Sequence, residues 1–282
     1  MSHPVRIRFL ISDIDGTLVT PDKIVTSAAR DAVHELREAG IGFAFISSRP
    51  PKGLASIAEA LAFPSNADGN GPAAAGFNGG ALLDARLVPL SFTPLHDDDV
   101  RIALDVLAAM HIDAWAFTLD EWLIVNRAGR YIAHEEKTIH FAPRVVANFD
   151  GVTGIGKIVG SSDNPALLQR AGIAISRRLS LNARALLSQA YYLDITHAEA
   201  NKGSALRAIA AHTGLALDEI AAIGDMTNDL AMLEIAGFSI AMGNAPAEVK
   251  AAVDAVTASN REEGFARAVR ELVLPRAEGE KR

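Results

Sequence analysis

The stretch Phe9-Leu10-Ile11-Ser12-Asp13-Ile14-Asp15-Gly16-Thr17-Leu18 is an apolar run with strand character that stops at two carboxylates one residue apart. A buried strand has no reason of its own to end in two acids, because burying charge is costly unless a cation compensates it. Gly16 lets the chain turn sharply just beyond, so both carboxylates can converge on one point past the strand end. That convergence suits a hard cation and a phosphoryl group. Asp, Gly and Thr are also ordinary turn residues, so the stretch alone fits a plain strand-end turn equally well.

The same pattern recurs along the chain. After the first strand (residues 5–11), Thr26 or Ser27 can cap a helix running to about residue 39, and Gly40 can end it. A second apolar strand (41–46) ends in Ser47-Ser48-Arg49-Pro50, and a helix over 51–61 follows, with proline acceptable at its start. Residues 63–71 carry loop chemistry, and a third strand ends at Phe77-Asn78-Gly79-Gly80. Strands that are nearly all apolar and alternate with helices predict a parallel sheet covered on both faces. Ligands of such sheets bind outside the carboxyl ends of the strands, and each polar cluster falls at one of those ends.

From residue 81 the alternation stops. Residues 82–92 read as a hairpin, 97–110 and 165–178 as helices, and 114–117, 122–125, 156–160 and 191–195 as strands, which together describe an α+β insert. Trp115 and Trp122 lie within it and are explained by core packing. Alternation resumes with a helix over 202–213, ended by Gly214, and a strand over 220–223 that runs into Gly224-Asp225-Met226-Thr227-Asn228-Asp229. A helix to about 236, a strand over 238–241, a helix, a short strand (255–257) and a last helix complete the chain, and residues 276–282 are a charged, frayed end. The expected fold class is α/β: a Rossmann-like core of residues 1–81 and 196–282, interrupted by an α+β cap of residues 82–195.

Composition narrows the chemistry. A chain of 282 residues with 49% hydrophobic and 22% charged residues can bury a sizeable core. A net charge of −7 argues against nucleic acid or an anionic membrane as partner. With no cysteine, disulfides, thiolate nucleophiles and Cys-ligated zinc are excluded. The start does not read as a secretion signal and no apolar stretch approaches ~18 residues, so a cytoplasmic location is expected.

Phosphoryl transfer needs a nucleophile, positive charge around the transferring oxygens and a proton donor for the leaving group. Asp13 is the candidate nucleophile, because a carboxylate can take a phosphoryl group to give an acyl phosphate. Asp15 is the candidate general acid and later base, which requires Asp13 ionised and Asp15 able to carry a proton. Asp225 and Asp229 sit at a second strand end and, with Asp13, offer oxygen ligands for magnesium, although Asp229 can also be a first-turn helix acid. Ser47 offers a hydroxyl and a backbone N–H to a phosphate oxygen, or serves as a plain N-cap. Lys202 could neutralise the phosphoryl oxygens, but from its own context it reads as a surface lysine opening a helix.

The order of these groups is more telling than any one of them. Asp-x-Asp-Gly-Thr after strand one, Ser after strand two, Lys after a long insert and Gly-Asp-x-x-Asn-Asp after the next strand resemble the haloacid dehalogenase superfamily. Arg49-Pro50, Asn78-Gly79-Gly80 and Met242-Gly243-Asn244-Ala245 resemble its Cof-type subfamily, which carries a large α+β cap of type IIB. The resemblance covers residues 5–80 and 197–272. It implies a magnesium-dependent phosphatase that works on small phosphomonoesters, sugar phosphates by preference, through an aspartyl-phosphate. It assigns Asp13 as nucleophile and Asp15 as acid and base, with Ser47 and Lys202 holding the phosphoryl group. Gly16 and Asn228 join the phosphate-binding set. Asp225 would bind the metal with Asp13 and the backbone carbonyl of Asp15, and Asp229 is placed in the same metal group. Where the family often has Thr-Gly-Arg this chain has Ser47-Ser48-Arg49, which keeps the hydroxyl.

Other motifs read blandly. His134-Glu135-Glu136 with His140 lacks the zinc helix spacing and is expected to be polar cap surface. Gly151 to Gly156 lacks the strand–loop–helix setting of a dinucleotide loop. Two rival functions remain: a sugar phosphomutase of the same superfamily, and a phospho-ligand sensor that keeps the fold without turnover. The expected partner is a small phosphorylated metabolite; the oligomeric state is not written in the sequence.

Overall fold

The structure is a computed structural model that describes residues 6–62 and 71–277. The expected strand start at residue 5, most of the 63–71 loop and the charged end beyond residue 277 lie outside the described residues.

In chain order, β1 (Phe9–Asp13) leads through the acidic loop to α1 (Ser27–Glu38), whose first turn is capped by the Thr26 hydroxyl accepting from Ala29 N. Then come β2 (Gly42–Ile46), a 3-10 turn (Pro51–Leu54), α2 (Ala55–Ala60), β3 (Pro72–Gly76), β4 (Ala81–Asp84) and β5 (Pro89–Phe92). The insert contributes α3 (Asp97–Ala109), β6 (Asp113–Phe117), β7 (Trp122–Ile124), α4 (Ile132–Ile139), β8 (Arg144–Val145), β9 (Lys157–Ser161), α5 (Pro165–Ser176), β10 (Ala183–Gln189) and β11 (Tyr192–His197). The chain returns through α6 (Lys202–Thr213), β12 (Ile220–Gly224), α7 (Leu230–Leu233), β13 (Phe238–Ala241), α8 (Ala247–Ala251), β14 (Ala255–Val256) and α9 (Gly264–Arg267), which continues as a π-helical stretch (Ala268–Val273).

The large sheet has the order β14-β13-β12-β1-β2-β3-β4-β5. Its first six strands are parallel, and β4 and β5 add on antiparallel. All residues of β1, β3, β12 and β13 are buried, which is why their sequences are runs rather than alternations. One face packs Leu206, Ile209, Met232 and Leu233 against Ile11, Ile220 and Ala222. The other packs Val33, Leu36, Phe265 and Val269 against Leu10, Phe43 and Ile223. Each such buried side chain contributes roughly 1.5–3 kcal/mol of transfer free energy. From β1 the chain builds outward through β2 and β3, then comes back to lay β12 on the opposite side of β1. The resulting switch point between β1 and β12 opens a crevice at the strand carboxyl ends. Register sets Asp13 level with Ile46, and Ser12 level with Ile223, so Asp13, Ser47 and Asp225 leave three neighbouring strands at one edge.

The second sheet has the order β10-β11-β9-β6-β7-β8 and is antiparallel except where β7 meets β8. Helices α3 and α5 cover one face, where Leu107, Leu168 and Ile175 meet Ala116, Ile158, Leu193 and Ile195. The opposite face carries Trp115, Phe117, Trp122, Val159 and Tyr192, which belong to the same apolar cluster as the core. Trp115 and Trp122 pack edge to face at 5.4 Å, in line with a packing role.

Several boundaries differ from expectation. The sequence places the hairpin over 82–92 in the cap; in the structure β4 and β5 extend the large sheet. A division at residue 82 would cut through hydrogen-bonded strands, and we propose that the cap begins at the 93–96 connection instead. The helix read over 51–61 is a 3-10 turn followed by a short α-helix. Three elements were not read at all: α4, β8 and β10. β8 has only two residues, and β10 is an edge strand whose second half is exposed on both faces, so neither leaves a period-2 signal.

Candidate active site

Four charged groups from three separate segments meet at the crevice. Lys202, first residue of α6, is only 1% exposed. Its Nζ donates to Oδ1 of Asp13 and to Oδ1 of Asp229. The expectation of a surface lysine is thus overturned: α6 starts directly behind the end of β1, and the Asn201 side chain caps it by accepting from Ser204 N at 2.9 Å. Asp229 is held on both sides, since its Oδ2 accepts from the backbone N–H groups of Asp225 and Met226, each at 2.9 Å.

Asp225 is positioned by Thr17 Oγ1, which donates to its Oδ1 at 3.1 Å, and by Asn244 Nδ2, which donates to its Oδ2 at 3.1 Å. The same amide donates to the carbonyl of Gly16 at 3.0 Å. Gly16 has φ +99°, and a Cβ there would lie 2.3 Å from Asp225 Oδ2. Only glycine allows the acidic loop to come this close to the second acid.

Carboxylate oxygens of Asp13, Asp225 and Asp229 all lie within 4.8 Å of one another. Burial raises the Asp13 carboxyl well above the usual carboxylate range; Lys202 opposes that, and Asp229 and Asp225 add to it. Burial and the neighbouring Asp229 likewise push Asp225 up to about 6. Acids that resist ionisation because they face one another in a buried place are relieved by a cation. A hard divalent ion therefore fits this donor set of carboxylate oxygens. Asp229 differs from the other two in what holds it: Lys202 Nζ on Oδ1 and two backbone N–H groups on Oδ2, the latter from the turn that carries Asp225.

Asp15 has a different environment. Arg49 Nε and Nη2 donate to its two oxygens at 2.9 and 2.7 Å, and Lys23 Nζ adds a contact at 2.8 Å. Burial works to raise the carboxyl, but the Arg49 fork and the Lys23 charge outweigh it and hold it at about 2. The sequence reading required Asp15 able to carry a proton; in this arrangement it is an ionised acceptor.

Ser47 is buried at the end of β2, with its hydroxyl accepting from Arg49 N at 3.2 Å. Its backbone N–H, expected to serve a phosphate oxygen, donates instead to the Ala75 carbonyl at 2.9 Å. Parallel pairing with β3 claims that group, and the hydroxyl alone remains to donate. Asn228 is exposed on the turn after β12 and has no hydrogen bond to the acidic cluster. Sequence reasoning gave no role to Arg49, Lys23, Thr17 or Asn244 in holding the acids. Of these, Thr17, Arg49 and Asn244 lie in the motifs that carry the family resemblance, with polar side chains unaccounted for, which is the available signal; Lys23 lies in none.

A crevice at the switch point of a parallel sheet, lined by a buried lysine and three converging acids beneath an α+β insert, defines a capped α/β hydrolase built for phosphoryl transfer. The profile of the haloacid dehalogenase-like hydrolases matches residues 10–269, and the chain belongs to that family. It is similar to the 5-amino-6-(5-phospho-D-ribitylamino)uracil phosphatase YcsE of Bacillus subtilis, 26% identical over 96% of this chain and 97% of that one. The pyridoxal phosphate phosphatase YbhA of Escherichia coli is 25% identical over 92% and 96%. A haloacid dehalogenase-like hydrolase from Bacteroides thetaiotaomicron superposes with a TM-score of 0.87 at 26% identity, covering 95% of this chain and all of that one. With this family and these relatives, the chain is a phosphatase of small phosphorylated substrates. Among the described residues, no helix is long and apolar enough to cross a membrane.

Proposed function

We propose that the chain is a magnesium-dependent phosphatase that hydrolyses small phosphomonoesters through an acyl phosphate on Asp13. The observation that carries this is the buried Asp13 carboxylate, joined to Lys202 on one side and facing Asp225 on the other. Asp13, Asp225 and, by family resemblance, the backbone carbonyl of Asp15 would hold magnesium, which supplies positive charge to the phosphoryl oxygens and keeps Asp13 ionised. Lys202 supplies a second, fixed positive charge, and the Ser47 hydroxyl donates to a phosphoryl oxygen. Asp229 orients Lys202 and the turn that carries Asp225, a positioning role rather than that of a ligand.

The first step forms the Asp13–phosphorus bond and breaks the bond to the leaving oxygen, which needs a proton. Asp15 can give one only after moving off Arg49 and Lys23. In the second step water attacks phosphorus and regenerates Asp13. The ionised Asp15 seen here is the form that takes the proton from that water. Sugar phosphates are the proposed substrates, a reading supported by the phosphorylated ribityl chain named for YcsE.

The test is phosphate release from sugar phosphates, nucleotides and p-nitrophenyl phosphate, with magnesium or with EDTA, by the wild type and by Asp13→Asn. Turnover that needs magnesium and is lost in Asp13→Asn is expected. Equal activity in the variant would overturn the mechanism, and isomerised product without free phosphate would mark a phosphomutase.

A further inference from the structure

Two groups of polar side chains stand outside the set that reacts. One is on the insert: Glu135 of α4 is buried beside Lys157, Asp194 and Tyr192. The reading of residues 134–136 as polar surface thus fails for Glu135, while His134 remains exposed. The other lies behind the metal group, in the turn of residues 258–264 that links β14 to α9. Bonds within this turn fix its shape. Ser259 Oγ donates to Glu262 Oε2 at 2.6 Å, and the Ser259 carbonyl accepts from Glu262 N at 2.9 Å and Gly264 N at 3.0 Å. Thr257 Oγ1 closes the base of the turn by donating to the Gly264 carbonyl at 2.8 Å. The loop after β13 lies directly against it: Gly243 N donates to the Ala258 carbonyl at 3.0 Å, and a Cβ on Gly243 would lie 2.7 Å from Ser259 N. Glycine is what lets the two backbones approach so closely.

Within the turn, half-buried Asn260 makes two contacts in different directions. Its backbone N–H donates to Asn244 Oδ1 at 2.9 Å, and its Nδ2 donates to the Val19 carbonyl at 2.9 Å. The first contact fixes which way the Asn244 amide points. A backbone N–H can only donate, so the atom facing it is the amide oxygen, and the amide NH2 faces the other way. That side holds Asp225 Oδ2 and the Gly16 carbonyl, which can only accept. Turned over, the amide would set an oxygen against a carboxylate and a carbonyl. The second contact fixes the acidic loop. Val19 pairs in parallel with Asp15, and its N–H donates to the Ile14 carbonyl at 3.1 Å. One residue therefore holds the loop that carries Asp13 and Asp15 and, through Asn244, the acid that faces them, across 241 positions of chain.

The spacing of these acids needs such a hold. Carboxylate oxygens of Asp13, Asp225 and Asp229 lie within 4.8 Å of one another, and like charges at that distance repel. Lys202 counters the repulsion at Asp13 and Asp229, whereas the side chains bonded to Asp225, Thr17 and Asn244, are neutral. A group of ligands that spreads when empty must be drawn together again when a cation binds, and affinity falls by that cost. Ligands already locked at their spacing avoid it. Resting on the magnesium reading above, we propose that Asn260 is a positioning residue: it clamps the acidic loop to Asp225 through Val19 and Asn244, and so sets the metal group before the cation arrives.

The test is calorimetric titration of the metal-free protein with magnesium chloride, without substrate, for wild type, Asn260→Ala, Ser259→Ala, Asn244→Ala and the double variant of the two asparagines. Asn260→Ala should weaken magnesium binding about three- to tenfold, less than the ten- to hundredfold of a group that touches a ligand directly. Ser259→Ala loosens the same turn at Glu262 without touching Asn244 or Val19. It should lower the melting temperature and leave the magnesium affinity unchanged, which separates positioning from stability. Because the two asparagines act through one contact, the double variant should bind magnesium more tightly than the product of the two single losses predicts. Equal affinity of Asn260→Ala and wild type, an equal loss in Ser259→Ala, or fully multiplied losses in the double variant would overturn the inference. If the wild type takes up no magnesium, the magnesium reading fails by itself, and amide hydrogen exchange decides the clamp. Faster exchange in Asn260→Ala at Thr17, Leu18 and Val19, whose N–H groups donate to the Ile14 carbonyl, supports it, and unchanged exchange there overturns it.

Discussion

Replacing Lys202 with methionine removes one buried cation from between two buried carboxylates while keeping a similar volume. Lys202 is 1% exposed and Asp229 is fully buried, so neither water nor salt can stand in for the lost charge. Deleting one partner of a buried ion pair costs about 3–5 kcal/mol. At roughly 2–4 °C per kcal/mol for a domain of this size, Lys202→Met should melt about 6–20 °C below the wild type at pH 8 in EDTA, followed by far-UV circular dichroism. The dependence on pH has a definite sign. The lysine's folded pKa is raised by Asp13 and Asp229, so its contribution is complete below the unfolded value of about 10.4 and is lost only at higher pH. Asp13 is already raised by burial and rises further without the lysine. A raised carboxyl weakens the fold above its folded pKa and costs nothing below the unfolded one. The deficit of the variant should therefore shrink as pH falls toward 4, and adding Asp229→Asn should recover part of it at pH 8. An unchanged melting temperature at pH 8, or a deficit that grows on acidification, would refute the account of Lys202 as the counter-charge of this cluster.

Two other predictions rest on single contacts. Asn244→Ala frees Asp225 Oδ2 and the Gly16 carbonyl together; the magnesium concentration for half-maximal phosphate release should rise roughly ten- to hundredfold, and an unchanged metal titration would contradict that positioning role. Asp15 is held at about 2, below its unfolded value, so its ion pairs stabilise the fold above about pH 4 and that stability is lost as pH falls toward 2, on the order of 2 kcal/mol. Arg49→Met should accordingly lower the melting temperature at pH 7, and the difference from wild type should narrow at pH 2.5.

The parts of the fold that were legible in the sequence are those set by neighbours within a few residues. β1, β2, β12 and β13 announce themselves as apolar runs, and α1, α5 and α6 start at Thr26, Asn164 and Asn201 side chains that accept from their own first turns. α4 and β10 were missed because their apolar positions are few and their stability comes from packing on the rest of the insert. Within the site, Asp13, Ser47, Lys202, Asp225 and Asp229 are brought to one sheet edge as their order along the chain suggested. Lys202 shows the limit of local reading, since Gly203 and Ser204 beside it say nothing of the two carboxylates it meets. Ser47 shows another, because its N–H is taken by Ala75 of a strand nearly thirty residues on.

The sequence by itself determined that acids and a hydroxyl would stand at the ends of parallel strands and that a lysine would open a helix, because strand period, glycine turns and helix caps are short-range effects. It also determined, through the absence of cysteine, that disulfides, thiolate nucleophiles and Cys-ligated zinc were closed to the chain. Only the tertiary structure decided the state of each group. Whether Asp15 is an ionised acceptor on Arg49 and Lys23, whether Asp229 meets Lys202 or water, and whether Glu135 faces water or the cap wall all depend on burial and on charges contributed by distant segments. Electrostatic free energy in a protein interior is set by what lies within a few ångströms in space, and the fold alone puts residue 202 beside residue 13.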